Sequence, residues 1–260
     1  MYMNKVFRQG MILFRRYTLV FSLSVTLAVP VSVAASEANE IRDYHYAYDL
    51  RLRGFKLGEI RYSGREDGVS YSAAAIAYPT GVADMVVDLL IRGKVRGWIG
   101  EERLLPFRYQ GIRERDGRSS TRTIHYEGGA FRSLEADPPI TLDSGLSDEL
   151  LASSIDPLTM LFIALQPTGA ANLCDARHRL FDGKRMSLIE VEPAELSGGQ
   201  AECDGSYTRL FGYSASEMED NPALHFKVIF TETTAGSGMF QLQRFEVTTD
   251  SLQLSMSRQS

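Results

Sequence analysis

The chain has 260 residues, 44% of them hydrophobic, and carries 28 lysines and arginines against 33 aspartates and glutamates, for a formal net charge of −5. This balance argues against a nucleic-acid partner, because a phosphate-binding face normally appears as clustered Lys and Arg. The length and the hydrophobic content are sufficient for a sizeable core.

The first 35 residues have the three zones of a secretory signal: a cationic start, an apolar middle and a small-residue exit. Four cations at positions 5–16 precede an apolar zone at 17–33, and small side chains follow. We therefore predict a signal peptide at 1–35 that is cleaved after Ala35. An uncleaved anchor is the competing interpretation, because the apolar zone is about as long as the shorter membrane-spanning helices. Pro30 and the small residues at the exit favour cleavage.

Residues 36–260 are the predicted mature chain, which we expect to fold as a single β domain and to reside in the periplasm. Loss of the four cations changes the balance to 24 against 33, a formal charge of −9. The remaining 225 residues lie within the range of one large β domain. Met11 is an alternative start, because a chain that begins there has a more compact signal.

The predicted mature chain has two cysteines, Cys174 and Cys203, with 28 residues between them. In an oxidising compartment an even pair is most simply a disulfide. A lone pair at this distance is a poor metal site, and a redox-active pair would favour the close spacing of Cys-x-x-Cys. We therefore expect a structural disulfide.

Most of the mature chain consists of short segments rich in Tyr, Phe, Val, Ile and Thr that are closed by Gly, Asp or Asn. This pattern is typical of antiparallel strands joined by hairpins. Turns such as Asp116-Gly117 supply the positive φ that tight hairpins require. The predicted strands are 44–53, 56–66, 69–78, 93–101, 104–115, 119–127, 130–135, 175–181, 185–193, 201–210, 224–234 and 238–256.

Two or three short helices interrupt the strands. Residues 82–91 carry Val, Met and Leu at helical spacing with Gly93 just beyond as a stop, so we expect a helix whose apolar stripe belongs to the core. A shorter helical turn is predicted at 147–152. The clearest start signal is Asp156-Pro157, because Asp can cap free N–H groups and Pro at the first helical position lacks an N–H that would have had no partner.

The helix after Pro157 is apolar almost all round, so most of its sides must be covered. We expect it to plug the concave face of a strongly bent, mainly β antiparallel sheet, an open barrel or β-spiral. A helical connector at about 137–170 joins two β halves, and neither half shows a flexible linker, so we predict one domain. The residues expected to line the concave face are Leu158, Leu161, Phe162, Leu165 and Trp98.

The sequence shows no pattern that carries catalysis or cofactor binding. It has no Gly-x-Ser-x-Gly elbow for a nucleophilic serine and no glycine-rich loop with the Lys-Ser/Thr of a phosphate site. The four histidines stand alone in strand-like segments, without the spacing of metal ligands. They are His45, His125, His178 and His225. We therefore expect a non-enzymatic protein with no cofactor and no metal.

Four segments carry a family resemblance: 48–58, the Asp156-Pro157-Leu158 helix start, the strand and turn at 180–185, and 203–213. They resemble the domain of unknown function 3108, a family of exported proteobacterial proteins, over nearly all the mature chain. The resemblance implies a bent β-spiral with a disulfide, similar in shape to periplasmic envelope-integrity proteins and to the lipoprotein carriers of the periplasm. It implies no catalytic residues.

These features favour a non-enzymatic protein of the cell envelope that binds a lipid-like molecule, an acylated protein or another envelope partner. Two alternatives stay open. The first is a purely structural or protein-interaction module for envelope integrity, whose sheet interior is filled by side chains. The second is a hydrolase of envelope polymers, which requires two or more of the four histidines and nearby acids to converge in one cleft.

The cysteine pair generates a first prediction. Closing a loop of this length reduces the conformational entropy of the unfolded chain, which stabilises the folded state by roughly 3 to 4 kcal/mol. Cys174→Ser and Cys203→Ser should each lower thermal stability by about as much as the double change, because either removes the same link. Thermal unfolding of the three variants measures this. Equal melting temperatures with and without reductant would contradict a structural disulfide.

Overall fold

A computed structural model of the protein describes residues 40–249 and 253–259, so the predicted signal peptide at 1–35 lies outside the described residues. Strands joined by tight turns make up most of this part of the chain. The strands are β1 Arg42–Leu52, β2 Phe55–Glu66, β3 Ser70–Pro79, β4 Leu89–Ile99, β5 Leu104–Arg115, β6 Arg118–Glu127, β7 Ala130–Asp137, β8 Ser154–Ile155, β9 Thr168–Gly169, β10 Cys174–Phe181, β11 Met186–Pro193, β12 Glu195–Ser197, β13 Gln200–Phe211, β14 Ala223–Glu232, β15 Met239–Thr248 and β16 Gln253–Arg258. The helices are α1 Asp148–Ala152, α2 Pro157–Leu165 and α3 Ala215–Asp220.

The strands form one sheet that bends into a nearly closed, barrel-shaped wall with a single seam. Hydrogen-bonded neighbours follow the order β7-β6-β5-β4-β3-β2-β1-β16-β15-β14-β13-β11-β10-β8. Along this path β8 pairs with β10 in parallel, and the other pairs are antiparallel. Two short strands pair beside the path, β12 with β13 and β9 with β15. The structure thus confirms the predicted mainly β, strongly bent sheet.

Because successive strands are antiparallel, the turns between them lie alternately at the two ends of this barrel. One end, here the upper end, carries the turns around Gly54, Gly117 and Gly183. The opposite, lower end carries those around Gly68 and Gly128. Helix α2 runs inside the wall, with its first residue near β10 and β11 of the upper end and its last near the lower end.

Helix α2 packs tightly against the strands of the first half of the sheet. A Cβ atom built at Gly93 of β4 would lie 3.1 Å from Cδ1 of Leu158, so the missing side chain lets the helix approach the strand closely. Phe162 is fully buried, and its ring centroid lies 4.8 Å from that of Tyr71 on β3 and 6.3 Å from that of Tyr44 on β1. One side of the helix is therefore covered by core packing.

Hydrogen bonds hold both ends of α2 to the sheet. Asp156 caps the start: its Oδ1 accepts from the backbone N–H groups of Leu158 at 3.0 Å and Thr159 at 2.9 Å, and its Oδ2 accepts from Thr159 Oγ1 at 2.6 Å. Thr159 Oγ1 also lies 2.8 Å from the hydroxyl of Tyr71. Just beyond the last turn, Gln166 donates to the Glu66 carboxylate at 2.9 Å. The helix thus has a fixed position inside the barrel.

The predicted helix at 82–91 is wrong. The chain forms a 3₁₀ turn at Gly81–Met85 and then enters β4 at Leu89. Because β5 continues to Arg115, its partner strand must begin as early as Leu89, which lies opposite Arg115. The apolar residues of this stretch are therefore divided between a turn and a strand. The turn residues are exposed rather than in the core, Val82 at 80% and Met85 at 84%.

Two further differences follow from turns and caps. The single strand predicted at 238–256 is wrong, because β15 and β16 are two antiparallel strands in which Val247 lies opposite Leu254. Helix α3 was not predicted, although Ser214 and Glu217 form a capping box at its start. The helix predicted at 147–152 is confirmed as α1, whose start is capped by Ser147. Among the described residues, no helix is long and apolar enough to cross a membrane.

Buried Asp156 generates a prediction about pH. Burial raises the pKa of Asp156 to about 6, although the hydrogen bonds of the cap favour the charged form. In the unfolded chain this carboxyl titrates near 4, so the folded state holds its proton over a range in which the unfolded state releases it. The stabilisation that the raised pKa of Asp156 contributes to the folded state is therefore fully present below about pH 4. It is lost as the pH rises through about 6.

A difference of about two pKa units corresponds to about 3 kcal/mol. Relative to Asp156→Asn, which keeps a capping oxygen and does not titrate, the wild-type protein should lose about this much free energy of unfolding between about pH 4 and pH 7. Urea unfolding of both proteins across this range measures the difference. A difference in free energy of unfolding between the wild-type protein and Asp156→Asn that stays constant, or grows in favour of the wild type as the pH rises, would contradict a raised pKa for Asp156.

Candidate functional site

A half-open apolar groove with a volume of about 410 Å³ lies between α2 and the second half of the sheet. This volume falls in the range of roughly 300 to 1,000 Å³ that small-molecule sites occupy. The walls come from α2, the segment after it, and strands β10, β11 and β13 to β16. The lining residues are Met160, Leu161, Ile163, Ala164, Leu165, Thr168, Asn172, Leu173, Cys174, Ala176, His178, Ile189, Val191, Tyr207, Leu224, Phe226, Val228, Phe230, Leu242, Phe245, Val247 and Met256.

Strand alternation builds the apolar wall of the groove. Phe226, Val228 and Phe230 occupy alternate positions of β14, so their side chains lie on one face of the sheet. On the neighbouring strand β15, Val247 lies opposite Phe226 and Phe245 lies opposite Val228. The rings of Phe226 and Phe245 are 5.0 Å apart. Antiparallel register therefore collects large apolar side chains from separate strands into one continuous surface.

Helix α2 supplies the other wall, and its two sides have different roles. Leu161 and Leu165, both predicted to line the concave face, do border the groove. Leu158 and Phe162, predicted with them, lie instead in the core contact with the first half of the sheet. The helix fills one half of the barrel and leaves the other half open. The groove is the space that remains.

The prediction that Trp98 lines the concave face is wrong. Val95 and Gly97 of β4 are buried on the inner face, and Trp98 alternates with them, so its side chain lies on the outer face and is 53% exposed. Its ring lies 5.8 Å from that of Phe107 on the neighbouring strand. The type of an aromatic residue does not reveal which face of a sheet it occupies, because the face is set by its position in the alternation.

Few polar side chains border the groove. Among its lining residues they are Thr168, Asn172, His178 and Tyr207, and none carries a formal charge. Burial lowers the pKa of His178, so its imidazole is neutral at neutral pH. An uncharged, mostly apolar surface of this kind suits a hydrocarbon ligand, because removing apolar surface from water is favourable.

The predicted disulfide is present and borders the groove. Cys174 at the start of β10 is bonded to Cys203 of β13, with a Cα–Cα distance of 6.3 Å. In the sheet order β11 lies between these two strands, so the bond adds a covalent link to the hydrogen bonds that join β10 to β11 and β11 to β13. It therefore links two of the strands that form the wall, β10 and β13.

The four histidines do not converge in one cleft. His178 lines the groove, whereas His45 borders a depression on the outer face of β1 to β5. His225 alternates with Leu224 and Phe226 and so faces away from the groove, and His125 lies 3.4 Å from Glu135. Among residues 40–249 and 253–259, no group of three His, Cys, Asp or Glu side chains could hold a metal ion.

Sequence reasoning missed several residues of the groove. Ala176 and His178 of β10 alternate toward it, as does Tyr207 of β13. The available signal was the alternation of Leu224, Phe226, Val228 and Phe230, which indicates a strand with one apolar face. This pattern does not reveal whether that face is covered by other side chains or open.

Comparison with known proteins places the chain in a family. The model of the family described as Protein of unknown function (DUF3108) matches residues 45–195. The chain belongs to this family. No curated protein matches this DUF3108 chain.

One solved structure is similar to the DUF3108 chain. It is the crystal structure of a β-barrel-like protein of domain of unknown function DUF1849 from Brucella abortus, with a TM-score of 0.44 and 9% sequence identity. The similarity covers 86% of this chain and 98% of that chain. Within this DUF3108 protein, the family match contains α2, β10 and β11 of the groove, and the wall formed by β13 to β16 follows it in the chain.

The position of Trp98, the single tryptophan, generates a prediction. Because Trp98 lies on the outer face, acrylamide should quench its fluorescence readily, and a ligand in the groove should leave the quenching constant unchanged. Acrylamide quenching is measured without hexadecanoate and with increasing concentrations of it, at a fixed protein concentration, and the quenching constants are compared. A ligand that protects Trp98 severalfold from quenching would instead place this side chain at the site.

Proposed function

We propose that this DUF3108 protein is an exported, non-enzymatic protein of the periplasm that binds a lipid-like molecule in the apolar groove. The single observation that carries the proposal is the groove itself: a space of about 410 Å³ walled by aliphatic and aromatic side chains. A hydrocarbon chain in this space would be removed from water on both sides, by α2 and by the sheet. Free lipid, the acyl group of a modified protein and other lipophilic ligands share this chemistry.

The disulfide supports the exported location. The bond between Cys174 and Cys203 is of a kind that persists in oxidising compartments such as the bacterial periplasm and is rare in the cytosol. The signal peptide predicted at 1–35 leads to the same location. A protein that holds a hydrocarbon chain in the periplasm would keep that chain out of water between two membranes.

The composition of the groove supports a binding role rather than a catalytic one. Hydrolysis of an ester, amide or glycosidic bond requires a nucleophile or a pair of acid and base groups at the reacting atoms. Among the described lining residues, His178 is the one side chain that titrates near neutral pH, and burial holds it in the neutral form. None of these described lining residues supplies a carboxylate to orient it.

A second candidate is a protein-interaction module, and one specific observation favours it. The 3₁₀ turn at Gly81–Met85 presents Val82 and Met85 to solvent, with Val86 just after it and Phe55 at the neighbouring hairpin. These four side chains are between 78% and 84% exposed. Exposed apolar patches often mark contacts with other proteins or membranes. The two candidates predict different effects of a substitution that fills the groove. Such a substitution should abolish the function of a lipid-binding protein and leave that of a protein-interaction module intact.

A substitution that fills the groove tests the proposal. Ala176 of β10 lines the groove opposite Val191 of β11, so Ala176→Phe places a ring in the space for the hydrocarbon chain. The matched control is Arg177→Phe, which adds the same ring to the other face of the same strand, where Arg177 pairs with Glu190 at 3.2 Å. Thermal unfolding confirms that each variant is folded.

The three proteins are purified from the periplasm in parallel, extracted with organic solvent, and their lipids quantified by mass spectrometry. We expect lipid with the wild-type protein and the control, and at least roughly tenfold less with Ala176→Phe, because a blocked chain site weakens binding by more than about 1.4 kcal/mol. Wild-type protein without co-purifying lipid, together with no uptake of a fluorescent fatty acid, would contradict the proposal. Equal lipid in all three would place the ligand elsewhere.

A further inference from the structure

A polar pocket lies beside the apolar groove, at the upper end of the barrel. Arg185, Ser187, Arg209 and Tyr213 border it, together with Tyr207, whose side chain also lines the groove. We call these five residues the polar subsite. The pocket has a volume of about 340 Å³ and is close to the first residue of α2, Pro157.

Strand register makes the polar subsite a continuation of the groove. In the groove, neighbouring strands align His178 of β10, Ile189 of β11 and Tyr207 of β13. Two residues further toward the upper end, each strand again presents the same face. There the aligned residues are Leu180, Ser187 and Arg209. Two residues of a strand span about 7 Å, so the row that holds Ser187 and Arg209 follows directly on the groove row of His178, Ile189 and Tyr207.

Helix α2 shows the same continuity on the facing wall. Pro157 borders the polar pocket, whereas Leu161 and Ala164 border the apolar groove. These positions are related as i, i+4 and i+7, which places them on one face of the helix. The apolar groove and the polar pocket thus follow one another along the space between α2 and the sheet, here called the channel, and Tyr207 borders both.

Three hydroxyl groups form a closed cluster in the polar subsite. Ser187 Oγ lies 2.6 Å from the hydroxyl oxygens of both Tyr207 and Tyr213, and these two oxygens are 2.5 Å apart. Each hydroxyl can rotate to donate elsewhere when a stronger acceptor arrives. The cluster can therefore supply donors to an anionic oxygen without a change of backbone.

Two arginines flank the hydroxyl cluster. The guanidinium carbons of Arg185 and Arg209 lie 5.0 and 5.4 Å from the ring centroid of Tyr213. Arg185 pairs with Glu217 at 2.8 Å, and Arg209 donates to the backbone carbonyl of Glu217. The Nε of Arg209 is buried and has no hydrogen-bond partner. A buried donor without a partner is often explained by a bound water or ion.

Two acids, Asp182 and Glu217, also line the pocket and are already engaged by the protein. Asp182 accepts from the backbone N–H groups of Lys184 and Arg185, both at 2.8 Å, and lies 3.4 Å from Arg122. Glu217 accepts from the backbone of Ser214 at 2.9 Å as part of the capping box of α3. Glu217 is thus paired with Arg185, and Asp182 lies close to Arg122. The buried Nε of Arg209 and the hydroxyl cluster are the donors here that have no carboxylate partner.

We propose that the polar subsite binds the anionic headgroup, a carboxylate or a phosphate, of a single-chain amphiphile whose hydrocarbon tail lies in the apolar groove. This inference rests on the proposed function and adds the class of ligand and its orientation. Planar guanidinium groups are suited to carboxylate and phosphate oxygens, which they bind through two parallel hydrogen bonds. The tail would extend from Tyr207 toward the disulfide, and the head would remain at the upper end.

Three ligands with the same saturated tail test the inference: hexadecanoate, hexadecyl lysophosphatidate and the neutral alcohol 1-hexadecanol. Their dissociation constants are measured by displacement of a fluorescent apolar probe from the full mature protein. The alcohol reports on the groove alone, and the two anions report on the carboxylate and phosphate forms of the headgroup. We expect at least one anion to bind roughly tenfold or more tightly than the alcohol, as one charge-assisted hydrogen bond provides.

Arg185→Gln and Arg209→Gln should each weaken binding of the preferred anion by roughly tenfold and leave the affinity for the alcohol unchanged. Arg177→Gln, which removes the same charge from the outer face of β10, should change neither. Unchanged alcohol binding shows that a variant is folded with an intact groove, so a loss confined to the anion is not a folding defect.

Equal affinity of the wild-type protein for all three ligands would overturn the headgroup site and leave the apolar groove supported. An anion preference that survives both arginine substitutions would overturn it as well. Failure of all three ligands to bind would overturn the proposed function and this inference together.

Discussion

Close packing of α2 against β3 and β4 determines which half of the barrel is filled and which half is open. Gly93 lets the helix approach the strand, Phe162 inserts between Tyr71 and Tyr44, and the buried Asp156 holds the first turn. Because these contacts hold the helix to one side, a space remains between α2 and the opposite wall of β10 to β16. The groove is thus a consequence of asymmetric packing inside a nearly closed wall.

Polarity changes along the channel between α2 and the sheet. The middle and lower parts are lined by apolar side chains such as Val228 and Phe230, whereas the upper end presents two arginines and three hydroxyls. Tyr207 belongs to both parts, with its ring beside the groove and its hydroxyl in the cluster with Ser187. The arrangement matches a molecule with a long apolar part and a compact charged end, and it accounts for both proposals with one geometry.

Local signals made much of the fold predictable from the sequence. The hairpin turns, the Asp156-Pro157 helix start and the disulfide depend on neighbouring residues or on one pair of cysteines. The errors concern positions that depend on distant partners. The start of β4 at Leu89 is set by pairing with Arg115, and the outward side of Trp98 is set by its place in the sheet. The groove was less predictable still, because an apolar strand face has the same sequence pattern whether it is covered or open.

We propose that an apolar chain occupies the space between α2 and β10 to β16. A crystal structure of the mature protein grown with hexadecanoate tests it most directly. We expect continuous electron density for the chain in contact with Met160, Phe226 and Val228, with the carboxylate near Arg185 and Arg209. A groove closed by its own side chains, or ligand density on the outer face beside Trp98 and Phe107, would contradict it.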